Sequence, residues 1–174
     1  MTIEDIKNSI RNVSDFPSPG IQFKDITTAF KDGQILRKIA EVMYEKYKDK
    51  GITKIVGIES RGFIMSSILA EKLGVGFVPI RKKGKLPAAT KSESYQKEYG
   101  IDEIEIHKDA LKSDDIVLVH DDLLATGGTM LAAERLIKQF GVKDLYFDFL
   151  IELDEFNARS LFEHPERVDS IIHF

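Results

Sequence analysis

Two adjacent carboxylates, Asp121 and Asp122, follow the apolar run 116–119 and come just before a turn built of Ala125, Thr126, Gly127, Gly128 and Thr129. Every side chain in that turn is small or a hydroxyl, so backbone N–H groups can close on an anion and the glycines can take up positive φ. The helix-forming run 131–137 comes next, with its positive dipole end toward the same anion. Strand, acidic pair, glycine turn and helix, in that order, describe a phosphate cradle with two carboxylates beside it. Carboxylates repel a phosphate unless something lies between, and ribose hydroxyls suit that gap. Both Asp side chains would accept from the 2′ and 3′ hydroxyls while the turn holds a 5′-phosphate. The turn is not a P-loop, because GxxxxGK[ST] is absent and no Lys follows the glycines.

Further clusters place charge or aromatic faces where loops do chemistry. Glu59, Ser60, Arg61, Gly62 and Phe63 form a second strand-to-helix turn with a cation and a glycine. Arg81, Lys82, Lys83 and Lys85 surround Gly84 after a third apolar run; such a group is a solvated loop or the seat of a highly charged ligand. Residues 88–106 are polar and irregular, and a long excursion of that kind in a compact domain is functional or disordered. Within it Glu98 stands near Tyr95 and Tyr99 with no evident structural task. Sequestered from water, its carboxyl would rise in pKa and suit proton exchange with a ligand. Two prolines and a glycine make Phe16-Pro17-Ser18-Pro19-Gly20 an extended, turning segment. That leaves Phe16 and Phe23 as core plugs or as ligand faces.

The elements that must position these clusters follow from hydrophobic period. Residues 54–58, 76–80, 116–119 and 143–151 are short apolar β-type runs, whereas 2–13, 33–49 and 64–73 show helical spacing. Ile101, Ile104 and Ile106 alternate in a way that suits a hairpin; 157–162 reads as a last short helix and 168–174 as a final edge strand. The alternation predicts an α/β domain with a mostly parallel central sheet flanked by helices, binding ligands at the strands' carboxyl ends. A small hood, from about 14–30 and the C-terminal region, completes one domain spanning 1–174. His107, His120, His164 and His173 have no ligand-like spacing, and His120 reads as a packed core imidazole.

A chain of 174 residues suits one domain that buries roughly 70% of its unfolded surface. Its 43% hydrophobic and 31% charged residues are those of an ordinary globular protein. A net charge of −4 argues against a nucleic-acid footprint. The absence of Cys leaves no disulfide framework, metal thiolate or thiol nucleophile, and fits a reducing compartment. With no signal-peptide pattern and no apolar run of membrane-spanning length, the expected location is cytoplasmic, away from any membrane.

The run Asp121-Asp122-Leu123-Leu124-Ala125-Thr126-Gly127-Gly128-Thr129 resembles the 5-phosphoribosyl diphosphate (PRPP) fingerprint of type I phosphoribosyltransferases, in a wording similar to that of the adenine-specific members. The resemblance extends by separate motifs over nearly the whole chain. It implies the type I fold, a flexible lid at the stretch matching about 88–106, transfer of the phosphoribosyl group from PRPP to adenine, Mg²⁺ held mainly through PRPP with no direct protein ligand, and a homodimer. By resemblance, Glu98, Asp121 and Asp122 are catalytic, and 125–129 hold the 5′-phosphate. Glu59, Ser60, Arg61, Arg81 and Lys85 attend pyrophosphate, at a turn that in relatives often has a non-proline cis peptide. Gln22, Phe23, Lys24, Tyr99 and Leu153 attend the adenine; relatives often carry Arg where this chain has Lys24. The alternatives are a transferase for hypoxanthine, guanine or xanthine, whose 6-oxo group a hood reading the amine would reject, and a PRPP-sensing nucleic-acid-binding regulator.

Overall fold

The computed structural model describes residues 1–97 and 100–174 and falls into two compact units, Met1–Lys46 and Tyr47–Phe174. In the first unit α1 (Ile3–Ser9) starts on a capping box, in which Thr2 Oγ1 accepts from the Asp5 N–H at 3.2 Å and Asp5 Oδ2 accepts from the Thr2 N–H at 2.6 Å. The helix expected over 2–13 is thus shorter, because Arg11–Ser14 instead form β1, paired antiparallel with β2 (Gln22–Asp25) in the register Val13↔Phe23. The intervening turn has a cis Phe16–Pro17 bond and positive φ at Asp15 and Gly20. Extended pairing wins over helix there because the Pro-rich turn folds a second strand back onto a β-branched segment. Short α2 (Thr27–Phe30) and long α3 (Gly33–Tyr47) complete the unit, and α3 carries the chain across the boundary.

The second unit alternates strand and helix: β3 (Lys54–Ile58), α4 (Gly62–Leu73), β4 (Gly76–Lys82), β5 (Thr90–Gln96), β6 (Ile101–His107), β7 (Ile116–Leu124), α5 (Gly128–Lys138), β8 (Asp144–Glu152) and β9 (Val168–His173). Among the described residues they form a seven-stranded sheet in the order β5-β6-β4-β3-β7-β8-β9. The pairs β3–β4, β3–β7, β7–β8 and β8–β9 are parallel, and the β5–β6 hairpin joins antiparallel at the β4 edge. Ile104 and Ile106 of that hairpin are buried in the main core with Val56, Ile80, Val119 and Phe147. The C-terminal strand β9 lies at the opposite edge of the same sheet, and the helix expected over 157–162 is a 3₁₀ turn at Ala158–Leu161.

The chain order reverses at β3, whose neighbours β4 and β7 lead to opposite edges, and open α/β sheets bind ligands at such a switch. Strand β7 is longer than the four apolar residues that announce it. Its pairing with β3 stops at Gly57↔His120, yet its pairing with β8 continues to Leu124↔Glu152. Asp121 and Asp122 therefore sit on a strand held from one side only, at the mouth of the sheet.

Candidate active site

The glycine turn and the start of α5 line a cavity of about 110 Å³ together with Asp121, Leu123 and Leu124. Gly127 caps the helix at φ +87°, and no side chain caps the first turn, so its amides remain for a ligand. The two glycines differ. Gly127 needs its left-handed backbone, whereas a methyl on Gly128 would meet only ordinary contacts, at 3.7 Å from Tyr95 Cδ2 and 3.8 Å from Gln96 O.

The Asp pair divides as strand alternation requires. Asp122 is buried and takes the Arg61 Nε–H at 2.5 Å, whereas half-buried Asp121 lines the phosphate cavity and both neighbouring ones. Burial, and then the charge of Asp122, push the Asp121 carboxyl well above the usual carboxylate range. Both Asp122 and Asp121 line the next cavity, of about 490 Å³, with Glu59, Ser60, Arg61, Lys82 and Lys85. One end of the site thus offers amides, the middle two carboxylates, and the other end cations, which suits a ligand with a monophosphate, hydroxyls and a diphosphate in that order.

The turn after β3 supplies part of the cationic end. Its Glu59–Ser60 peptide is cis, and Arg61 leads straight into Gly62 at the start of α4. A methyl at Gly62 would lie 2.9 Å from Asp121 Oδ1 and 2.9 Å from His120 O, so glycine alone permits this approach of α4 to β7. Sequence pattern gives Gly62 no task of its own; its place directly after the one Arg of a strand-to-helix turn is the signal for it. Glu59 takes Arg81 through two contacts of 3.3 Å and accepts the Lys82 N–H at 2.9 Å. Burial raises the Glu59 carboxyl, but these partners outweigh it and hold it below the usual range. Lys82, one of the four cations around Gly84 but not among those the resemblance assigns to pyrophosphate, lines this cavity and a third of about 190 Å³ that also has Arg81, Lys97, Tyr95, Asp121 and Thr129 in its walls. Lys83 instead turns to Glu103 at 2.7 Å.

The residues expected at adenine lie on separate stretches of the chain. Gln22, Phe23 and Lys24 lie on β2 in the first unit, where Gln22 Oε1 accepts from Asn12 at 2.6 Å and Phe23 meets Phe16 edge to face at 5.1 Å. Leu153 follows β8 and donates its N–H to Leu124 O at 2.9 Å, which ties it to the end of β7. Glu98 and Tyr99 lie outside the described residues. His120 is a core imidazole, as its apolar strand suggests, with Nδ1 2.8 Å from Asp148 Oδ2; Tyr47 donates to the other Asp148 oxygen at 2.9 Å. Contrary to its sequence spacing, His173 does join a cluster that could hold a metal, with Asp154 and with Glu152, which pairs with Leu124 across the sheet. Glu152 is already engaged there by Arg159 at 2.6 Å and Ser170 at 2.5 Å.

Residues 27–165 match the family described as the phosphoribosyl transferase domain. The adenine phosphoribosyltransferase of Bacteroides fragilis is 60% identical over 169 residues, 97% of this chain and 95% of that one. Among solved structures, the adenine phosphoribosyltransferase of Rhodothermus marinus is 48% identical with a TM-score of 0.92, covering 99% of this chain and 98% of the other. The Giardia lamblia enzyme, solved with 9-deazaadenine, is 41% identical with a TM-score of 0.95, covering 100% and 98%.

Proposed function

The chain belongs to the phosphoribosyl transferase family, in its adenine-specific branch, and from that membership we propose how its residues divide the reaction. The activity is purine salvage: the phosphoribosyl group of PRPP passes to adenine, giving AMP and pyrophosphate. The observation that carries the reading is the order of the cavities around Asp121, with backbone amides on one side and Arg61, Lys82 and Lys85 on the other. The 5′-phosphate sits on 125–129 and the ribose hydroxyls on Asp121 and Asp122. The diphosphate sits on Glu59–Ser60 backbone, Arg61, Arg81 and Lys85.

As the bond from the anomeric carbon to the diphosphate oxygen breaks, its electron pair leaves with pyrophosphate and positive charge grows on the ribose. The Asp pair faces that charge and the cations take the leaving group, so catalysis is positional and electrostatic. The new bond forms to a ring nitrogen of adenine, whose proton is assigned to Glu98. Gln22, Phe23, Lys24, Tyr99 and Leu153 are assigned to the base, a reading that rests on the family resemblance. The donor set suits Mg²⁺ carried by the substrate: among the described residues of this site, Asp122 is given to Arg61, and Glu59 to Arg81 and Lys82. When bound, the ion neutralises diphosphate charge.

A homodimer completes the proposal, supported by exposed Ile64 on α4 and Phe77 on β4. Incubation with PRPP, Mg²⁺ and each purine in turn tests the function. AMP from adenine, with 6-oxopurines left unconverted, is expected; preferential conversion of hypoxanthine, guanine or xanthine would overturn it.

A further inference from the structure

Three of the cations that line the diphosphate end are held by a carboxylate of the same region. Arg61 is on Asp122 at 2.5 Å, Arg81 on Glu59 at 3.3 Å, and Lys82 on Asp102 at 3.7 Å. Asp102 also pairs with Lys97 and accepts from the Tyr95 hydroxyl at 3.2 Å. Lys97 directly follows β5, and its Nζ stands 5.9 Å from the centre of the Tyr95 ring. Tyr95 lines the same cavity as Thr129 of the phosphate turn. Lys97, Lys82, Arg81, Asp121 and Thr129 thus share the walls of one cavity of about 190 Å³.

We propose that Lys97 is a further diphosphate-binding residue, and that Asp102 competes with the diphosphate for its ammonium group. The inference rests on the reading of this end of the site as the diphosphate seat. Chemistry supports the exchange. A diphosphate presents more charge and more acceptor oxygens than one carboxylate, and charge-assisted bonds to such oxygens are the strong ones. The Lys97 side chain is 45% exposed, on a flexible four-carbon stem whose head can change partner. Hydrogen bonding from Lys97, the largest influence, holds the Asp102 carboxyl down at about 2, and the same bond raises Lys97, so both stay charged through the working pH range. Asp102 would remain on Lys82 and Tyr95 after the exchange, so the hairpin keeps its anchor.

Binding of pyrophosphate with Mg²⁺, measured by calorimetry on the whole chain, separates this role from a purely structural pair. If Lys97 binds the ligand, Lys97→Met weakens pyrophosphate about tenfold, the worth of one charge-assisted hydrogen bond. Asp102→Asn then tightens it, because the competitor is gone. In the double variant the gain from Asp102→Asn disappears, and Lys97→Arg keeps most of the affinity. A structural pair predicts the opposite pattern: Lys97→Met and Asp102→Asn move affinity in the same direction, or neither moves it. Either result overturns the inference while wild-type pyrophosphate binding and adenine turnover stand. Failure of the wild type to bind pyrophosphate would remove the reading of the cavity itself. Thermal melts of each variant exclude unfolding, and Asp102→Ser replaces Asp102→Asn if the latter does not fold.

Discussion

At the scale of single residues, the site turns on groups whose tasks differ although they are neighbours in sequence. Gly127 and Gly128 look equivalent in the run, but only Gly127 holds φ +87°, and a residue with a Cβ there costs about 1–2 kcal/mol. Gly127→Ala is expected to raise the KM for PRPP about tenfold, whereas Gly128→Ala stays within a few-fold of wild type; steady-state kinetics on both variants check this. Asp121 and Asp122 are similarly distinct. The Asp121 carboxyl titrates above its unfolded value, so the folded state holds a proton that the unfolded state has released in the window between the two pKa values. Stability falls as pH rises through that window, and the penalty is fully present above it. Asp121→Asn is therefore expected to melt higher than wild type at pH 7, with the gain vanishing toward pH 3, while turnover drops by orders of magnitude. A variant that melts lower at pH 7 would contradict the assignment. The contiguous pieces of this chemistry were legible because acid pair and glycine turn share one run. The Arg61–Asp122 pair was not, since its members are 61 residues apart and only the parallel sheet brings them together.

Among elements, the decisive feature is that β7 outruns β3. Sequence period marks the apolar start of β7 but not its continuation through Asp121 and Asp122, because charged residues break an apolar run without breaking a ladder that β8 continues to pair. The approach of α4 is equally hidden, since it depends on what a side chain at Gly62 would strike. Gly62→Ala would set a methyl 2.9 Å from both the His120 carbonyl and the Asp121 carboxylate. Overpacking of that kind costs about 1–3 kcal/mol, and its expected signature is a lowered Tm together with a loss in kcat/KM larger than that loss of stability explains. The first-unit β1 was read as the end of a helix, as Ile10 and Val13 keep helical spacing while Val13 in fact pairs across a ribbon with Phe23. Local pattern alone does not separate the two.

For the molecule as a whole, an acidic chain of net charge −4 concentrates Arg61, Arg81, Lys82 and Lys85 at one mouth of its sheet, which favours a polyanionic ligand there over general anion binding. The fold class was legible throughout, because alternating strand and helix periods leave few topologies. What composition did not reveal is the polar network beneath the site. His120, Asp148 and Tyr47 are all buried, and Tyr47, raised first by burial and then by the Asp148 charge, stays a protonated donor. Tyr47→Phe leaves a buried carboxylate oxygen without that donor, and a loss of about 1–3 kcal/mol in unfolding free energy is expected from denaturant titration. No comparable loss would mean that Asp148 finds another partner.

The central claim is spatial: phosphate at the glycine turn, ribose on the Asp pair, diphosphate among the cations. A crystal structure with adenine, Mg²⁺ and a non-reacting PRPP analogue tests it most directly. The account predicts the 5′-phosphate within hydrogen-bond reach of the 126–129 amides, the ribose hydroxyls against Asp121 and Asp122, and the diphosphate beside Arg61 and Lys85. A monophosphate seated among those cations, or ribose hydroxyls turned away from both carboxylates, would contradict it.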